Sequence, residues 1–367
     1  MAKLKEIKEL ESTNVDQAIK KDNFPFFVED ANESMERASK IKVPNMLFSE
    51  FIFESDLTVL FSSAGVGKTI LGMQIADAIS RGESIPGFKN QAPPQKVLYL
   101  DLELSHKQFE SRYAEKVIIQ GRQERTNPHQ FSKNFKRGYF QAHDVPKGVD
   151  TVDFLVQAIK EMAKQNETQI VFVDNISWLA VKGLEQSKDA GKLMKALDTL
   201  KKESGLTLIV LAHTPKKNKW EGIELRDLAG SAMVGNFIDS AFTMNWSNFD
   251  NSGRYLKQVK CRFTEMVYDS HNVIAVRVTN LKPNFVGIEQ VFDLEDDYLS
   301  EDFHLSKKVI ADTIVYDDEQ RDEVKGKVKD ILKDNPKMSN RELAKRTGVS
   351  HPTIANYKYE LFNNNGQ

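Results

Sequence analysis

The sequence lacks several features that mark specialised classes of protein. It has one cysteine, Cys261, in 367 residues, so no disulfide can form within the chain. No run approaches the ~20 apolar residues that a membrane-spanning helix needs. The first residues are too charged for the core of a signal peptide. These absences predict a protein of a reducing compartment, the cytoplasm, without membrane contact.

The chain also has little net charge. It contains 51 Lys and Arg residues against 53 Asp and Glu residues, a balance of −2. This excludes a polybasic protein, but it does not exclude local basic segments that bind nucleic acid. Hydrophobic residues make up 40% and charged residues 28%, as in ordinary globular proteins. Function must therefore lie in local patterns.

The pattern of residue types divides the chain into four parts. Residues 1–45 are charged and helix-prone, which predicts an arm or surface helices. Residues 46–304 interleave continuous apolar strands with helical stretches, a pattern typical of an α/β fold with a mainly parallel sheet. An acidic stretch at 289–302 precedes a predicted linker at 305–320. Residues 321–367 then predict a small all-α domain.

The strongest motif follows the first predicted strand of this sheet. Residues 62–69 read SSAGVGKT and match the phosphate-binding P-loop pattern GxxxxGK[ST], except that Ser62 replaces the first glycine. Gly65 and Gly67 let backbone amides approach phosphate oxygens closely. The start of the next helix adds the positive end of its dipole. This segment predicts a nucleotide site.

The motif also assigns roles to single side chains. Lys68 is expected to reach the β- and γ-phosphates, and Thr69 to coordinate Mg²⁺. The apolar strand QIVFVD supplies Asp174 as the second Mg²⁺ ligand, so the predicted cofactors are ATP and Mg²⁺. The predicted nucleotide contacts are Ser63, Ala64, Gly65, Val66, Gly67, Lys68, Thr69 and Ile70.

A catalytic carboxylate is also needed, and Asn175 stands where many P-loop ATPases have theirs. Glu103 lies just past the apolar strand VLYLDL. Because the carboxyl ends of parallel strands share one edge, Glu103 and the P-loop should converge there. A carboxylate in that place can orient and deprotonate the attacking water. Asp101 is the alternative if the strand ends earlier.

The segments SSAGVGKT, LDLELS, VFVDNIS and VLAHTPK, in this order, resemble the RecA-like ATPases, particularly the plasmid RepA-type and DnaB-type hexameric helicases. The resemblance covers residues 46–285. It implies a RecA-like P-loop fold, a catalytic role for Glu103 rather than Asp101, and a polar sensor role for His213. The alternative for His213 is a polar residue that only satisfies its own hydrogen bonds at a strand end. It also implies self-association, as a hexamer.

A pair of cations lies further along the chain, in KQVKCRF. Lys260 and Arg262 are two residues apart on a predicted strand, so they share one face. The resemblance implies that they reach the nucleotide of the adjacent subunit, the arginine-finger role. A solvated strand face is the alternative. Cys261 points the other way and is predicted to be a small core residue.

A long polar connection, 214–231, follows His213. Long loops in compact domains are usually functional or disordered. A basic cluster with one tryptophan suits single-stranded DNA, with a base stacked on the indole. The resemblance places this loop in the central channel of a ring. Residues 178–192 are a second candidate for a channel loop. The alternative for both is a solvated loop without a DNA contact. The predicted contacts are Lys216, Lys217, Lys219, Trp220 and Arg226.

The C-terminal segment predicts a helix-turn-helix. Ser339 and Glu342 form a capping box, while Ile354 and Leu361 form a buried stripe with Tyr357. The opposite face could meet the major groove of duplex DNA, and a protein-docking module is the alternative. The predicted duplex contacts are His351, Thr353, Asn356 and Lys358.

Together these patterns predict an ATP-hydrolysing, DNA-binding motor. The most specific form of the prediction is a RepA-like replicative or mobilisation helicase that acts as a ring oligomer. Two alternatives stay open: an ATP-dependent DNA-binding regulator, and a recombinase-like loader without unwinding activity.

Overall fold

The structure is a computed structural model. It describes residues 28–139, 146, 148–175, 187–215, 217–228, 231–249, 252–291, 299–305, 318–336, 338–347, 354 and 357–358. The chain divides into two units, Met1–Pro44 and Asn45–Gln367. The described part of the first unit contains helix α1 (Ala31–Ser39), which begins after Asp30, whose carboxylate accepts a hydrogen bond from the Asn32 amide.

The second unit contains the remaining elements. Its strands are β1 (Met46–Phe48), β2 (Ile52–Phe53), β3 (Leu57–Ser62), β4 (Val97–Asp101), β5 (Ala114–Ile119), β6 (Arg122–Pro128), β7 (Phe135–Tyr139), β8 (Ile170–Asp174), β9 (Thr207–His213), β10 (Ser240–Trp246), β11 (Gly253–Lys260), β12 (Ile274–Lys282) and β13 (Phe285–Gln290). Its helices are α2 (Lys68–Arg81), α3 (His106–Tyr113), α4 (Thr151–Gln165), α5 (Ser187–Ser204), α6 (Ser231–Phe237), α7 (Glu301–Leu305), α8 (Asp318–Asp334) and α9 (Asn340–Thr347), with a 3₁₀ turn at Leu225–Asp227.

A nine-stranded sheet is the centre of this unit, with the strand order β13-β12-β11-β10-β3-β9-β8-β4-β7. Strands β10, β3, β9, β8, β4 and β7 are parallel, and β11, β12 and β13 extend the sheet in antiparallel fashion. The predicted mainly parallel α/β fold is therefore confirmed.

Helices cover both faces of the sheet because the parallel strands are apolar on both faces. In β9, Leu208 and Val210 pack with α4 and α5, while Ile209 and Leu211 pack with α2. Gly72 of α2 lies close to Leu211, where an added Cβ would be 2.9 Å from a methyl carbon. A side chain there would push the helix that follows the P-loop away from the sheet.

A β-hairpin formed by β5 and β6 stands apart from the central sheet, and the sequence pattern did not predict it. Gln120 and Gly121 have positive φ angles of 50° and 75°, as the tight two-residue turns of hairpins require. Ile118 beside the turn is 73% exposed. The hairpin is an insertion between β4 and β7 rather than part of the core.

The described part of the C-terminal segment has its own small core. Ser339 accepts a hydrogen bond from the Glu342 amide at 3.2 Å, so the predicted cap begins α9. Leu361 of the predicted stripe lies outside the described residues. The residues that form the core are Val328, Leu332, Met338, Leu343, Ile354 and Tyr357. Among the helices described in the whole chain, none is long and apolar enough to cross a bilayer.

Candidate functional site

The predicted phosphate loop connects β3 to α2. Gly65 and Gly67 have φ angles of 77° and 120°, in the region that favours glycine. An added Cβ at Gly67 would lie 3.3 Å from both Met244 and Val278, so the turn is also tightly packed. Ser62, in place of the first motif glycine, is a buried strand residue whose hydroxyl donates to the Ser63 carbonyl. The substitution is therefore accommodated inside the sheet.

The strand order brings four chain segments to one edge of the sheet. Ser62 at the end of β3 is in register with His213 at the end of β9. Asp174 at the end of β8 is in register with Asp101 at the end of β4. Glu103 follows two residues beyond β4. The P-loop, the predicted sensor and both predicted acidic residues therefore share the edge where parallel strands end, where ligands bind in open α/β sheets.

His213 connects Lys68 to Glu103. Its Nδ1 atom lies 3.3 Å from Lys68 Nζ, and its Nε2 atom lies 3.4 Å from Glu103 Oε1. An ammonium group has no acceptor, so Nδ1 must accept and Nε2 must carry the proton that faces the carboxylate. The geometry thus assigns the acceptor role to Nδ1 and the donor role to Nε2.

The surroundings of Lys68 and Glu103 change their acidity. Burial lowers the pKa of Lys68, although the charges of Asp174 and Glu103 oppose that effect. The hydrogen bond from His213 holds the pKa of Glu103 below its ordinary value, against the effect of burial. The Asn175 side-chain amide also donates to Glu103. Glu103 is therefore ionised at neutral pH, which suits a group that orients water.

Asp101, the alternative to Glu103, is 1% exposed and fully engaged in the fold. Its Oδ2 atom accepts two hydrogen bonds from Arg137, at 3.0 and 2.8 Å. Its Oδ1 atom accepts from the backbone amides of Glu103 and Leu104. Asp101 therefore shapes the turn that carries Glu103. Of these two carboxylates, Glu103 is the one that contacts His213 beside Lys68.

The two carboxylate oxygens of Asp174, the predicted second Mg²⁺ ligand, differ in their contacts. Its Oδ2 atom accepts a hydrogen bond from Tyr99 at 2.7 Å. Its buried Oδ1 atom has no well-formed hydrogen bond to any part of the chain that the structure describes, although the Thr69 hydroxyl is close enough to lower the pKa of the carboxyl group. Burial outweighs that effect and raises the pKa of Asp174 to about 6.

An unpartnered carboxylate oxygen beside a threonine hydroxyl fits Mg²⁺. This ion is commonly held by one or two protein oxygens together with substrate phosphates and water. The described residues contain no cluster of three or more His, Cys, Asp or Glu side chains that could hold a metal ion. Thr69 and Asp174 offer two oxygen ligands of the kind that bind Mg²⁺ together with nucleotide phosphates.

Lys260 and Arg262 lie at the opposite edge of the sheet. Lys260 is in register with Ala241, near the start of β10, and its ammonium donates to the Gly235 carbonyl. Arg262 donates to the Asn236 carbonyl at 2.6 Å and lies 3.5 Å from Asp239. The two cations therefore share one neighbourhood, which the P-loop of the same chain does not enter.

Two details of that prediction are wrong. Strand β11 ends at Lys260, so Arg262 lies beyond the strand rather than on it. Cys261 is partly exposed, with its sulfur 3.3 Å from the Thr264 hydroxyl, and is not a core residue. Apolar alternation stops at Lys260, and the sequence carries no clear strand-terminating residue there.

The loop at 214–231, predicted to bind single-stranded DNA, contains basic side chains that differ in their contacts and exposure. Lys217 donates to Asp227 at 2.7 Å and to the Gly222 carbonyl at 2.8 Å, so it stabilises the loop itself. Lys219 and Arg226 are exposed, and Trp220 is partly exposed. Lys216 lies outside the described residues. In the second candidate loop, residues 187–192 form the first turns of α5 instead of a loop, and 176–186 are not described.

The four predicted duplex contacts belong to the C-terminal segment. His351, Thr353 and Asn356 lie outside the described residues. Lys358 is described, and its ammonium donates to the Met338 carbonyl at 2.6 Å. In this structure Lys358 therefore closes the small C-terminal core.

Arg254 and Trp246 were not predicted as site residues, but both adjoin the P-loop. Arg254 Nε donates to the Val66 carbonyl at 2.8 Å, and its guanidinium lies 3.6 Å from the centre of the Trp246 indole. Arg254 and Val66 are 188 positions apart. Local spacing could not reveal this contact, and the only signal was a basic residue at the start of an apolar strand.

The chain was compared with family models, solved structures and curated sequences. A family model described as winged helix-turn-helix DNA-binding matches residues 321–357, which confirms the predicted C-terminal module. The crystal structure of a KaiC-like protein from the hyperthermophilic archaeon Pyrococcus horikoshii OT3 is similar over 65% of this chain and 91% of that chain, with 16% identity and a TM-score of 0.41. No curated protein sequence matches the chain significantly.

A second family model, described as AAA domain, matches residues 27–219. The matched range includes the P-loop, Glu103, Asp174 and His213, which the sheet brings to one edge. Because the match extends over more than half of the 367 residues, the chain belongs to the AAA domain family.

Proposed function

We propose that the chain is an ATP-driven DNA motor that acts as a ring oligomer, most closely a RepA-like replicative or mobilisation helicase of the cytoplasm. One observation carries the proposal. Lys68, His213 and Glu103 are in contact at one edge of the sheet, while Arg262 lies at the opposite edge. Such a chain has the nucleotide-binding part of an ATP site at one edge of its sheet and the arginine of a second ATP site at the other edge.

The proposed chemistry at the first edge is ATP hydrolysis. The P-loop amides and Lys68 bind the β- and γ-phosphates, and Glu103 orients the attacking water. His213 contacts both groups, so it senses whether a γ-phosphate has drawn Lys68 away. When Mg²⁺ is bound with ATP, held by Thr69 and Asp174, it neutralises phosphate charge.

The proposed role of the second edge requires a neighbouring subunit. Strand β3 has six residues, which corresponds to ~20 Å between the two edges of the sheet. Arg262 lies beside Asp239, whose amide donates to the Leu57 carbonyl at the far end of β3, so it cannot reach the P-loop of its own chain. Lys260 lies next to it, with its ammonium on the Gly235 carbonyl. In a ring they act on the nucleotide of the next subunit, and we propose a hexamer.

The proposed DNA contacts lie in two places. The exposed cations Lys219 and Arg226, with Trp220, suit the backbone and a stacked base of a single strand in the channel of the ring. The match of the C-terminal segment to a winged helix-turn-helix model supports duplex binding there. A motor with both sites could engage duplex DNA through one and hold a single strand in the other.

Strand displacement from a forked duplex tests the proposal. Wild-type protein with ATP and Mg²⁺ should release the labelled strand, and Glu103→Gln should bind the fork without releasing it. Solution mass, measured with ATP and single-stranded DNA, should correspond to a closed ring. If DNA stimulates ATP hydrolysis but no strand is released, the helicase role is wrong and the regulator or loader alternatives take its place.

A further inference from the structure

Arg254 fixes the orientation of one peptide group in the P-loop. Its side chain, 7% exposed, donates from Nε to the carbonyl oxygen of Val66 at 2.8 Å. That carbonyl and the amide of Gly67 belong to one planar peptide, in which C=O and N–H point in opposite directions. By holding the carbonyl, Arg254 directs the Gly67 N–H away from itself, and the P-loop pattern assigns amides of this segment to phosphate binding.

The same guanidinium is stacked on an indole that also contacts the candidate DNA loop. Arg254 lies 3.6 Å from the centre of the Trp246 ring. Lys219 Nζ lies 4.4 Å from the centre of that ring and 4.7 Å from the centre of the Trp220 ring. A continuous series of contacts thus runs from an exposed loop to the backbone of the P-loop.

We propose that Arg254 is a positioning residue for phosphate binding, and that Trp246 couples it to single-stranded DNA bound at Lys219 and Trp220. The inference rests on the proposed function, because it requires both ligands. No side chain in this series reacts with ATP. Through Trp246 and Arg254, binding of DNA at Lys219 and Trp220 changes how firmly the Gly67 amide is held in its orientation.

The expected sign of the coupling follows from charge. Arg254 and Lys219 share the electron-rich surface of one indole, and like charges close together weaken each other's contact. A DNA phosphate that draws Lys219 away removes this competition, so the Arg254 contacts with Trp246 and Val66 become stronger. Single-stranded DNA should therefore tighten nucleotide binding, by about fivefold for one cation–π contact.

Linked binding measurements test this coupling. The affinity of fluorescein-labelled oligo(dT) is measured with and without a non-hydrolysable ATP analogue and Mg²⁺. In the wild type the analogue should tighten oligo(dT) binding about fivefold, and saturating oligo(dT) should tighten analogue binding by the same factor. In Trp246→Leu and Arg254→Met the factor should fall to about one.

Matched variants separate coupling from general damage. Arg277 also stacks on a ring, that of Phe249 at 5.7 Å, so Arg277→Met should keep the wild-type factor. Arg254→Lys retains a cation and one donor, so it should restore part of the coupling. If Arg254→Met fails to fold, Trp246→Leu decides the question, because it removes the aromatic face but keeps both partners of the Arg254–Val66 hydrogen bond.

The outcomes distinguish this inference from the proposed function. If wild-type protein binds no single-stranded DNA or hydrolyses no ATP, the proposed function is wrong and the coupling is wrong with it. If the wild type binds both ligands and hydrolyses ATP, but shows no mutual tightening, the coupling alone is wrong. The same holds if Trp246→Leu keeps the full factor.

Discussion

The Nδ1 atom of His213 lies 3.3 Å from the Nζ atom of Lys68. Since Nδ1 accepts there, the Nε2 proton faces Glu103, and one imidazole links the phosphate-binding lysine to the candidate catalytic carboxylate. A γ-phosphate that binds Lys68 would compete with this imidazole. The contact therefore offers a direct way to sense the nucleotide at the position where water is activated.

We expect His213→Ala to lower kcat for ATP about 10- to 100-fold, because a hydrogen bond to each of two charged groups is lost. His213→Gln should keep more activity, since its amide can both donate and accept. Steady-state kinetics, with nucleotide affinity measured separately, check this. Unchanged kcat in His213→Ala would exclude a sensor role.

Glu103→Gln should lower kcat at least about 100-fold while ATP still binds, because the variant loses the charge that orients water. Asp101→Asn is the matched control. It weakens the buried pair with Arg137, and breaking such a pair costs about 3–5 kcal/mol of unfolding free energy. Turnover and chemical unfolding are measured on both variants. Glu103→Gln should lose mainly turnover, and Asp101→Asn should lose mainly unfolding free energy.

Asp174→Asn should abolish turnover but stabilise the free protein at high pH. The raised pKa of Asp174, about 6 against 3.8, means that the fold favours the neutral acid. Ionisation then costs free energy of folding above pH 6, and this cost disappears below pH 4. Without Mg²⁺ and nucleotide, the variant should be more stable at pH 8, by up to about 3 kcal/mol.

The measurement is unfolding by denaturant at pH 8 and pH 4. Asp174→Ala serves as the control, because alanine cannot accept the hydrogen bond from Tyr99. A variant with asparagine that is less stable than wild type at pH 8 would contradict the assigned direction of the pKa shift.

Under the proposed finger role, Arg262→Ala should lower turnover about 10³-fold or more while ATP binding persists. The fold should survive, since Asp239 keeps its contact with Lys201.

Mixing inactive Arg262→Ala with inactive Glu103→Gln should restore activity. In randomly mixed rings about one interface in four combines an intact Glu103 with an intact Arg262.

Recovery in that mixture requires the two residues to act across an interface. The mixture should therefore reach up to about a quarter of the wild-type rate per subunit. A mixture that stays inactive, although the subunits co-assemble, would show that Arg262 does not act on a neighbour.

Removal of residues 318–367 should weaken binding to duplex DNA about tenfold or more, because its phosphate and groove contacts are lost. ATP hydrolysis without DNA should stay within about twofold of wild type. Leu343→Asp, which places a charge in the small buried core, should reproduce the loss. Equal duplex affinity without these residues would assign the module to protein docking.

The fold and the P-loop edge could be predicted because both depend on local pattern. Continuous apolar runs predict buried parallel strands, and parallel strands end at one edge, so the convergence of Glu103, Asp174 and His213 follows from the order of the elements. The GVGKT segment predicts its own backbone shape through glycine. These signals need no knowledge of distant contacts.

The rest could not be predicted because it depends on pairing between distant segments. The roles of Asp101 and Lys217 in shaping loops require partners that only the folded chain supplies, Arg137 and Asp227. The contact of Arg254 with Val66 belongs to the same class. In the sequence, a charged residue that binds a ligand cannot be distinguished from one that contacts another part of its own chain.

The separation of the two sheet edges has a consequence for how activity depends on protein concentration. Under the proposed arrangement each subunit supplies a nucleotide cradle for itself and a finger for its neighbour, so an isolated subunit has no complete site. Specific activity should then rise with total protein and fall on dilution, without any inhibitor. Because the six-residue strand β3 separates the P-loop from Arg262 by ~20 Å, hydrolysis would begin only when subunits assemble.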